Sequence, residues 1–290
     1  MKCINKRFVR VCSLLLVCSL CTISGTGCGE NRLEDAFEAD LPGIGIQTSE
    51  ESSKIPYFAS DLCVTDTDVQ DIEADTEDAL AACFFNLNEK KVLYAKNIHE
   101  RMYPASTTKI MTALVALDKG DLDAQTTVSK EAITFSESGV STAKLKEGDV
   151  LTLRQLLYAL LTVSANDAAN VIAEQIAGSQ DAFVEMMNQE AQKIGATNTH
   201  FVNANGLHSE DHYTTVYDLY LMFNAAMQHE EFLQMLQEKE YQASYQAADG
   251  TTVEAVWSTT NQFTKGDVTV PDGVTAVGGK TGTTTAAMSC

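Results

Sequence analysis

The chain has 290 residues, of which 44% are hydrophobic, so it can form one large folded domain or two small ones. Its formal net charge of −20 excludes nucleic acid as a partner, because binding to a phosphate backbone requires a basic surface. Beyond the N-terminal leader and Cys28 at its edge, the only cysteines are Cys63, Cys83 and Cys290, which are too few and too scattered for a disulfide framework.

The N-terminal residues are arranged like an export signal. Basic residues from Lys2 to Arg10 precede an uncharged apolar stretch from Val11 to Ile23, and small residues follow up to Gly27. The apolar stretch is too short to span a bilayer comfortably. We therefore predict a cleaved signal peptide over residues 1–27 and an exported protein at the extracytoplasmic cell surface, either secreted or tethered to the membrane.

The residues after the predicted signal set the start of the folded domain. Cys28 directly follows Gly27, as a lipid-acceptor cysteine does, but Gly25 stands where lipoprotein signals usually have a large aliphatic residue. Lipidation of Cys28 and simple cleavage remain alternatives. Residues 28–78 are acidic and polar without a sustained apolar period, which predicts a disordered tether. The folded domain is then predicted over residues 79–290.

The pattern of that domain is strands, then helices, then strands. Strand-like runs at residues 80–87 and 91–95 flank a turn and predict an N-terminal β-hairpin. Apolar spacing predicts helices at residues 106–119, 152–161, 167–177, 181–194 and 215–228. A capping box of Thr215 and Asp218 opens the last of these helices. Strand-like pieces return after Gln237, so the order favours an α/β sandwich whose sheet is built from both ends of the chain.

Ser106 and Lys109 form the first candidate chemical pair. Residues i and i+3 at the start of a helix share a face, so the lysine amine can approach the serine hydroxyl. Serine becomes an effective nucleophile when a neighbouring base takes its proton, and lysine can be that base when its surroundings keep it neutral. Unpaired N–H groups of the first helical turn can also hold a developing oxyanion. The alternative is an unremarkable pair of solvated side chains.

Ser164 and Asn166 form the second candidate group, at the break between two apolar helices. A turn between helices can present two short polar side chains to a cleft. The alternative is a plain turn in which Asn166 or Asp167 caps the next helix.

The third candidate group is the run from Gly278 to Thr283, within a β-like stretch. Its glycines allow a substrate backbone to approach a strand edge closely, and Lys280 with Thr281 can hold a carboxylate. The alternative is an exposed edge strand whose lysine discourages pairing with other chains. Beyond Cys28 the sequence has no CxxC pair, and it has no HExxH stretch, so we predict no metal site.

In this order, the three groups resemble the SxxK, SxN and KTG motifs of the penicillin-recognising serine enzymes. The residues around them resemble one branch more closely, the low-molecular-mass D-Ala-D-Ala carboxypeptidases. The matching segments are Tyr103–Thr112, Ser164–Ala169, Asn205–His208, His212–Thr215 and Gly278–Gly282. The resemblance extends over residues 79–290.

The resemblance implies a fold and a reaction. The fold is an α/β (α+β) sandwich of the β-lactamase/transpeptidase type, with a mainly antiparallel sheet, flanking helices and a helical cluster. Ser106 would attack the carbonyl between the two terminal D-alanines of a peptidoglycan stem peptide, with Lys109 as general base. The N–H groups of Ser106 and Thr283 would form the oxyanion hole, and water would hydrolyse the acyl-enzyme.

The resemblance also assigns the remaining site residues. Ser164 would relay a proton to the departing D-alanine, and Asn166 would bind the peptide backbone. Lys280 and Thr281, followed by Gly282 and Thr283, would bind the substrate around its terminal carboxylate. Penicillin and other β-lactams would acylate Ser106 and stay bound. No cofactor is implied, and His208 and His212 are interpreted as scaffold for the wall of the site.

The sequence departs from the family pattern at its C-terminus. Members of the family continue past the KTG strand with two more strands and a closing helix, so we expect these elements to be missing from this sequence. One alternative is therefore a truncated, non-catalytic protein that binds penicillin or peptidoglycan. Another is a class A-like β-lactamase, although those enzymes have an aspartate where this chain has Ala165 and use a glutamate for deacylation.

Overall fold

The computed structural model of the chain describes residues 59–289. The predictions for the signal peptide, for Cys28 and for the tether up to residue 58 lie outside the described residues. A 3₁₀ turn at Ala105–Thr108 leads directly into the first α-helix. The helices are α1 (Lys109–Lys119), α2 (Leu153–Thr162), α3 (Asn166–Ala177), α4 (Gln180–Lys193), α5 (Val216–Ala226), α6 (Glu230–Gln237) and α7 (Gln262–Lys265). Within residues 59–289, no helix has both the length and the apolar character needed to cross a membrane.

The strands are short and all their pairings are antiparallel. They are β1 (Val69–Gln70), β2 (Ala82–Asn86), β3 (Lys91–Lys96), β4 (Gln125–Thr127), β5 (Val150–Thr152), β6 (Glu240–Gln246), β7 (Thr252–Ser258), β8 (Thr283–Thr284) and β9 (Met288–Ser289). In the described part of the chain they form three sheets, with the orders β1-β3-β2, β4-β5-β6-β7 and β8-β9.

The predicted N-terminal hairpin is confirmed, but the expected contribution of the C-terminal part of the chain to the same sheet is not observed. β2 pairs with β3 from Ala82 opposite Lys96, as the two strand-like runs indicated. The other edge of β3 pairs with β1, where Val69 lies opposite Ala95. Within the described residues, therefore, the hairpin sheet is not built from both ends of the chain, and the outer edge of β2 has no strand partner.

The helices form the core that positions the first motif. α1 contacts α3, α4 and α5, and its residues Met111, Ala113 and Ala116 are fully buried. A helix that is enclosed on nearly all sides must be apolar on nearly all sides, which agrees with the sequence of α1. The start of α1 is consequently held from within the core, whereas most helices of globular proteins lie at the surface.

The predicted capping box at the start of α5 is half confirmed. The Thr215 hydroxyl oxygen accepts a hydrogen bond from the Asp218 N–H at 3.0 Å, as an N-cap should. The Asp218 carboxylate does not return the bond. It accepts instead from the Asn198 N–H at 2.8 Å and the Thr199 hydroxyl at 2.7 Å. Asp218 thus fixes the preceding loop against the helix.

The folded domain begins before the predicted start near Ala79. Cys63 is 1% exposed, its N–H donates to the Tyr220 hydroxyl oxygen at 2.8 Å, and its carbonyl accepts from the Tyr217 hydroxyl at 3.1 Å. Residues 59–78 of the predicted tether are therefore part of the domain, and that portion of the prediction is wrong. The acidic composition misled the prediction because a single buried residue such as Cys63, which contacts α5, produces no local apolar period.

The predicted β-like run around the third motif is mostly not a strand. Only Thr283 and Thr284 belong to an element, β8, and no strand of the described residues pairs with Gly278–Gly282. Gly278 has a φ of +134°, and a Cβ at this position would lie 2.6 Å from the Leu236 carbonyl oxygen. The backbone therefore turns tightly against the end of α6 before it reaches Lys280.

Candidate active site

The Ser106 hydroxyl lies on the 3₁₀ turn that precedes α1, and Lys109 is the first residue of that helix. The Lys109 side chain is 0% exposed, and its Nζ lies 3.0 Å from the Ser106 Oγ. The turn is fixed by the Thr107 hydroxyl, which donates to the Pro104 carbonyl at 2.6 Å. The spacing of serine and lysine in the sequence correctly predicted that they meet on one face.

Three acceptors surround the Lys109 amine. Besides the Ser106 Oγ, they are the Asn166 Oδ1 at 2.6 Å and the Asn205 carbonyl. A neutral amine has two N–H groups and one lone pair. In its neutral form, Lys109 can donate to Asn166 and Asn205 and can accept the Ser106 hydroxyl proton. The arrangement therefore suits a base that faces a serine nucleophile.

The electrostatic surroundings favour this neutral form. Burial, and after it the charge of Lys280, hold the pKa of Lys109 well below its usual value, while the nearby Asp167 acts in the opposite direction. Desolvation disfavours the cationic form because the low-dielectric interior cannot replace its hydration. The surroundings of Lys109 thus shift its pKa in the direction that a lysine base requires.

Ser164 and Asn166 lie at the break between α2 and α3, as predicted. Both side chains are nearly buried, at 6% and 5% exposure. Ser164 adopts a left-handed conformation with a φ of +57°, which is uncommon for a residue other than glycine. The kink turns the Ser164 hydroxyl towards Lys280 and the Asn166 amide towards Lys109.

Asp167 does not simply cap α3. Its carboxylate accepts hydrogen bonds from the N–H groups of Ala143 and Leu145, at 2.9 and 3.1 Å, and from the N–H of Ala168 at 2.9 Å. Burial raises the pKa of this carboxyl, and the backbone hydrogen bonds partly offset that effect. Asp167 therefore ties the loop before β5 to the SxN turn.

The third motif lies opposite the first two. The Lys280 Nζ donates to the Ser164 Oγ at 2.9 Å and to the Thr281 carbonyl at 2.6 Å. Burial lowers the pKa of Lys280 to about 7. Gly282 is close to the nucleophile turn, since a Cβ at 282 would lie 3.0 Å from the Ser106 nitrogen. All three motifs consequently converge on one small region.

A segment of residues 202–212, which the motif analysis treated only as flanking sequence, completes the site. His212 is 1% exposed and links this segment to the nucleophile helix. Its Nδ1 accepts from the Val202 N–H at 3.1 Å, so the Nε2 carries the hydrogen and donates to the Thr108 hydroxyl at 2.7 Å. Burial, and then neighbouring His200, His208 and Lys109, lower the pKa of His212 to about 4. This agrees with its interpretation as scaffold.

The part of the chain that the structure describes contains no cluster of metal-binding side chains. There, no three histidine, cysteine, aspartate or glutamate side chains are grouped closely enough to hold an ion. The site itself offers a serine hydroxyl, two lysine amines and the polar groups around them.

Comparisons with known proteins place these features in context. The sequence profile of the D-alanyl-D-alanine carboxypeptidase family matches residues 68–290. The chain is 38% identical over 156 residues to the D-alanyl-D-alanine carboxypeptidase DacF of Bacillus subtilis, a match that covers 53% of this chain and 40% of the relative. It is 40% identical over 155 residues to DacB2 of Mycobacterium tuberculosis, covering 53% of this chain and 52% of that relative. The chain thus spans about half the length of these curated relatives, or less.

The fold is also similar to solved structures. The crystal structure of the Streptomyces K15 DD-transpeptidase superimposes with a TM-score of 0.67 at 30% sequence identity, covering 78% of this chain and 85% of that one. This confirms the predicted fold class, a mainly antiparallel α/β sandwich of the transpeptidase type with a helical cluster.

Gly206 provides a test of how tightly the 202–212 segment is packed on the nucleophile turn. Its φ is +87°, and an added Cβ would overlap the Ala105 carbonyl oxygen. We expect Gly206→Ala to lower the free energy of unfolding by about 3 kcal/mol, from backbone strain plus overpacking. Urea denaturation of the purified chain measures this change.

Gly178→Ala is the matched control for this substitution. Gly178 has a φ of +78° but open space around the added Cβ. Gly178→Ala should therefore lower the free energy of unfolding by only about 1 kcal/mol, from backbone strain. Equal losses in the two variants would contradict the close packing of Gly206 on the nucleophile turn.

Proposed function

The chain belongs to the D-alanyl-D-alanine carboxypeptidase family, and from this premise we propose that it is a serine D-Ala-D-Ala carboxypeptidase of peptidoglycan stem peptides. One observation carries the proposal: a fully buried lysine amine 3.0 Å from a serine hydroxyl, with its pKa held well below the usual value. β-Lactams, which imitate the D-Ala-D-Ala end, are the corresponding inhibitors.

The first half of the reaction acylates the enzyme. The Ser106 hydroxyl proton passes to the neutral Lys109 amine while the Ser106 Oγ forms a bond to the carbonyl carbon of the penultimate D-alanine. The developing oxyanion is held by the N–H groups of Ser106 and Thr283, a role supported by the position of Gly282 against the Ser106 nitrogen. The bond to the terminal D-alanine then breaks, and its amine takes the proton from Lys109 through Ser164.

The second half releases the shortened peptide. Water attacks the ester, its proton passes to the base, and the Ser106 Oγ–carbon bond breaks as Ser106 regains its hydrogen. Asn166 orients both the Lys109 amine and the substrate backbone. Lys280, Thr281, Gly282 and Thr283 bind the terminal carboxylate and the adjacent peptide, which is consistent with the pKa of about 7 that leaves Lys280 partly cationic at neutral pH.

The β-lactamase alternative has less support. None of the described hydrogen bonds of Ser106, Lys109, Ser164 or Asn166 involves a glutamate. The SxN triplet also carries Ala165, which is fully buried and has no polar group. A slowly deacylating carboxypeptidase therefore fits these side chains better than a rapid β-lactam hydrolase.

The nucleophile assignment predicts a stable covalent adduct. After exposure to benzylpenicillin, the intact mass of the wild-type protein should rise by one penicilloyl group, whereas Ser106→Ala should show no adduct. Release of D-alanine from a D-Ala-D-Ala peptide should fall at least about 10³-fold in the same variant. Ser141→Ala, at a nearby exposed serine, should retain the adduct. A correctly folded wild-type chain without any adduct would overturn the proposed function.

The charge of Lys280 predicts the pH dependence of acylation. The rate follows the neutral fraction of Lys109, so it falls as the pH drops below the pKa of Lys109. Because the Lys280 charge helps to lower that pKa, Lys280→Met should move this acidic limb to higher pH. The measurement is the acylation rate by benzylpenicillin over about pH 5 to 9.

The position of the limb, and not the overall rate, is the relevant quantity, since Lys280 also binds the carboxylate. Lys265→Met removes an exposed lysine from α7 and should leave the limb in place. An unchanged limb in Lys280→Met would disprove the coupling between the two amines.

We further propose that residues 1–27 direct export and that the following residues, up to the domain start near Ala59, act as a spacer between the domain and the membrane. The support is the basic leader, the apolar stretch and the small residues before Cys28. After expression in a bacterial host, mass spectrometry of the N-terminal peptide should show cleavage after Gly27, and the mass of Cys28 will report whether it carries lipid. Retention of Met1 on cell-associated protein would contradict export by this signal.

A further inference from the structure

The hydroxyl of Thr260 lies beside the third motif without having been identified by the sequence. Its Oγ1 is 3.0 Å from the Thr281 Oγ1, and Thr260 is exposed. Thr260 belongs to the short link between β7 and α7, outside the three motifs. The link brings a second hydroxyl to the position where the proposed function places the terminal carboxylate of the substrate.

The backbone around Thr260 is held from two directions. Its N–H donates to the Thr162 carbonyl at 3.0 Å, at the end of α2 and two residues before Ser164. The next residue, Asn261, donates from its side chain to the Gly279 carbonyl at 3.3 Å while its Oδ1 caps α7 through the Thr264 N–H at 3.0 Å. Thr260 is thus fixed to the second motif and to the third motif at once.

Hydrogen counting shows what the two hydroxyls can offer a ligand. Each threonine has one O–H donor, and their mutual hydrogen bond uses one of the two hydrogens. When a carboxylate arrives, both hydroxyls can rotate and donate to it, which replaces one neutral hydrogen bond by two charge-assisted ones. Charge-assisted hydrogen bonds are about twice as strong as neutral ones, so this exchange favours an anionic ligand.

The arginines within residues 59–289 do not supply a two-pronged carboxylate contact here. The two arginines of this part of the chain are engaged elsewhere, Arg101 over the Tyr213 ring at 4.4 Å and Arg154 with Asp123 at 3.3 Å. Lys280 already directs two of its donors to Ser164 and to the Thr281 carbonyl. Recognition of both carboxylate oxygens therefore calls for a further donor beside Thr281.

We propose that Thr260 is a further substrate-binding residue, whose hydroxyl joins that of Thr281 to bind the terminal carboxylate and so selects ligands that end in a free acid. This inference rests on the proposed function, because it names a ligand group for the same site. It extends the carboxylate subsite from the KTG run to the β7–α7 link.

The test compares acylation by benzylpenicillin with acylation by its methyl ester, which lacks the carboxylate charge. For the wild-type chain the free acid should react faster. Thr260→Val keeps the shape but removes the hydroxyl, so acylation by the free acid should slow about 10-fold while the ester rate stays the same. Thr260→Ser restores the hydroxyl and should restore the preference. Thr127→Val, at an exposed threonine of β4, should leave both rates unchanged.

Each other outcome points to a specific failure. An unchanged free-acid rate in Thr260→Val would overturn the inference, and so would an equal fall in both rates, since a purely structural role affects the acid and the ester alike. A wild-type chain that neither compound acylates would contradict the proposed function itself. The ratio of the two rates therefore separates the two hypotheses.

Discussion

The site depends on one constraint, the burial of an uncompensated amine. The Lys109 side chain is 0% exposed, and in the described residues it forms no ion pair with a carboxylate. A buried cation without a carboxylate partner is very costly, so the neutral form of the amine is favoured. The reactivity proposed for Ser106 follows from this, because only a neutral amine can accept the hydroxyl proton. A lysine left in water at the same distance would remain charged and could not act as the base.

Burial of this amine lowers the stability of the folded state. Because the folded-state pKa of Lys109 lies well below the usual lysine value of 10.5, the unfolded chain binds more protons. The folded state therefore loses stability as the pH falls from 10.5 towards the folded pKa. Ala105 and Ser164 add backbone strain, with φ values of +46° and +57°. Each left-handed residue of this kind costs about 1–2 kcal/mol, and the enclosed helices α1 and α2 must offset that cost.

The sequence predicted the parts of the site that are defined by local spacing. Ser106 and Lys109 meet because they are one helical turn apart, and the break at Ser164 is visible as an interruption between two apolar runs. Contacts between distant segments carried no such signal. The Asn205 carbonyl on Lys109, the loop held by Asp167 and the hydroxyl of Thr260 each depend on how the chain returns to the site, and nothing in the local sequence distinguishes these residues from ordinary turn residues.

The same distinction explains the errors in the fold. The acidic composition of residues 59–78 predicted disorder, because composition averages over the segment and hides single anchoring residues such as Cys63. The composition of the run that contains Lys280 predicted a strand. A strand also requires a paired edge, and pairing is a property of the whole sheet. Alternation and composition indicate what a segment can become, and the neighbours supplied by the rest of the chain decide what it does become.

Two lysines with different environments can divide the proposed chemistry between them. Lys109 is enclosed, which favours the neutral form that a base needs, whereas Lys280 has a pKa of about 7 and keeps part of its charge for a carboxylate. A single lysine could not do both, since the charge that attracts the carboxylate is the proton that the base must lack. The Ser164 hydroxyl accepts a hydrogen bond from Lys280, and the adjacent Asn166 accepts one from Lys109. The SxN turn thus contacts both amines. The charge of Lys280 lowers the pKa of Lys109, and the two side chains keep separate roles.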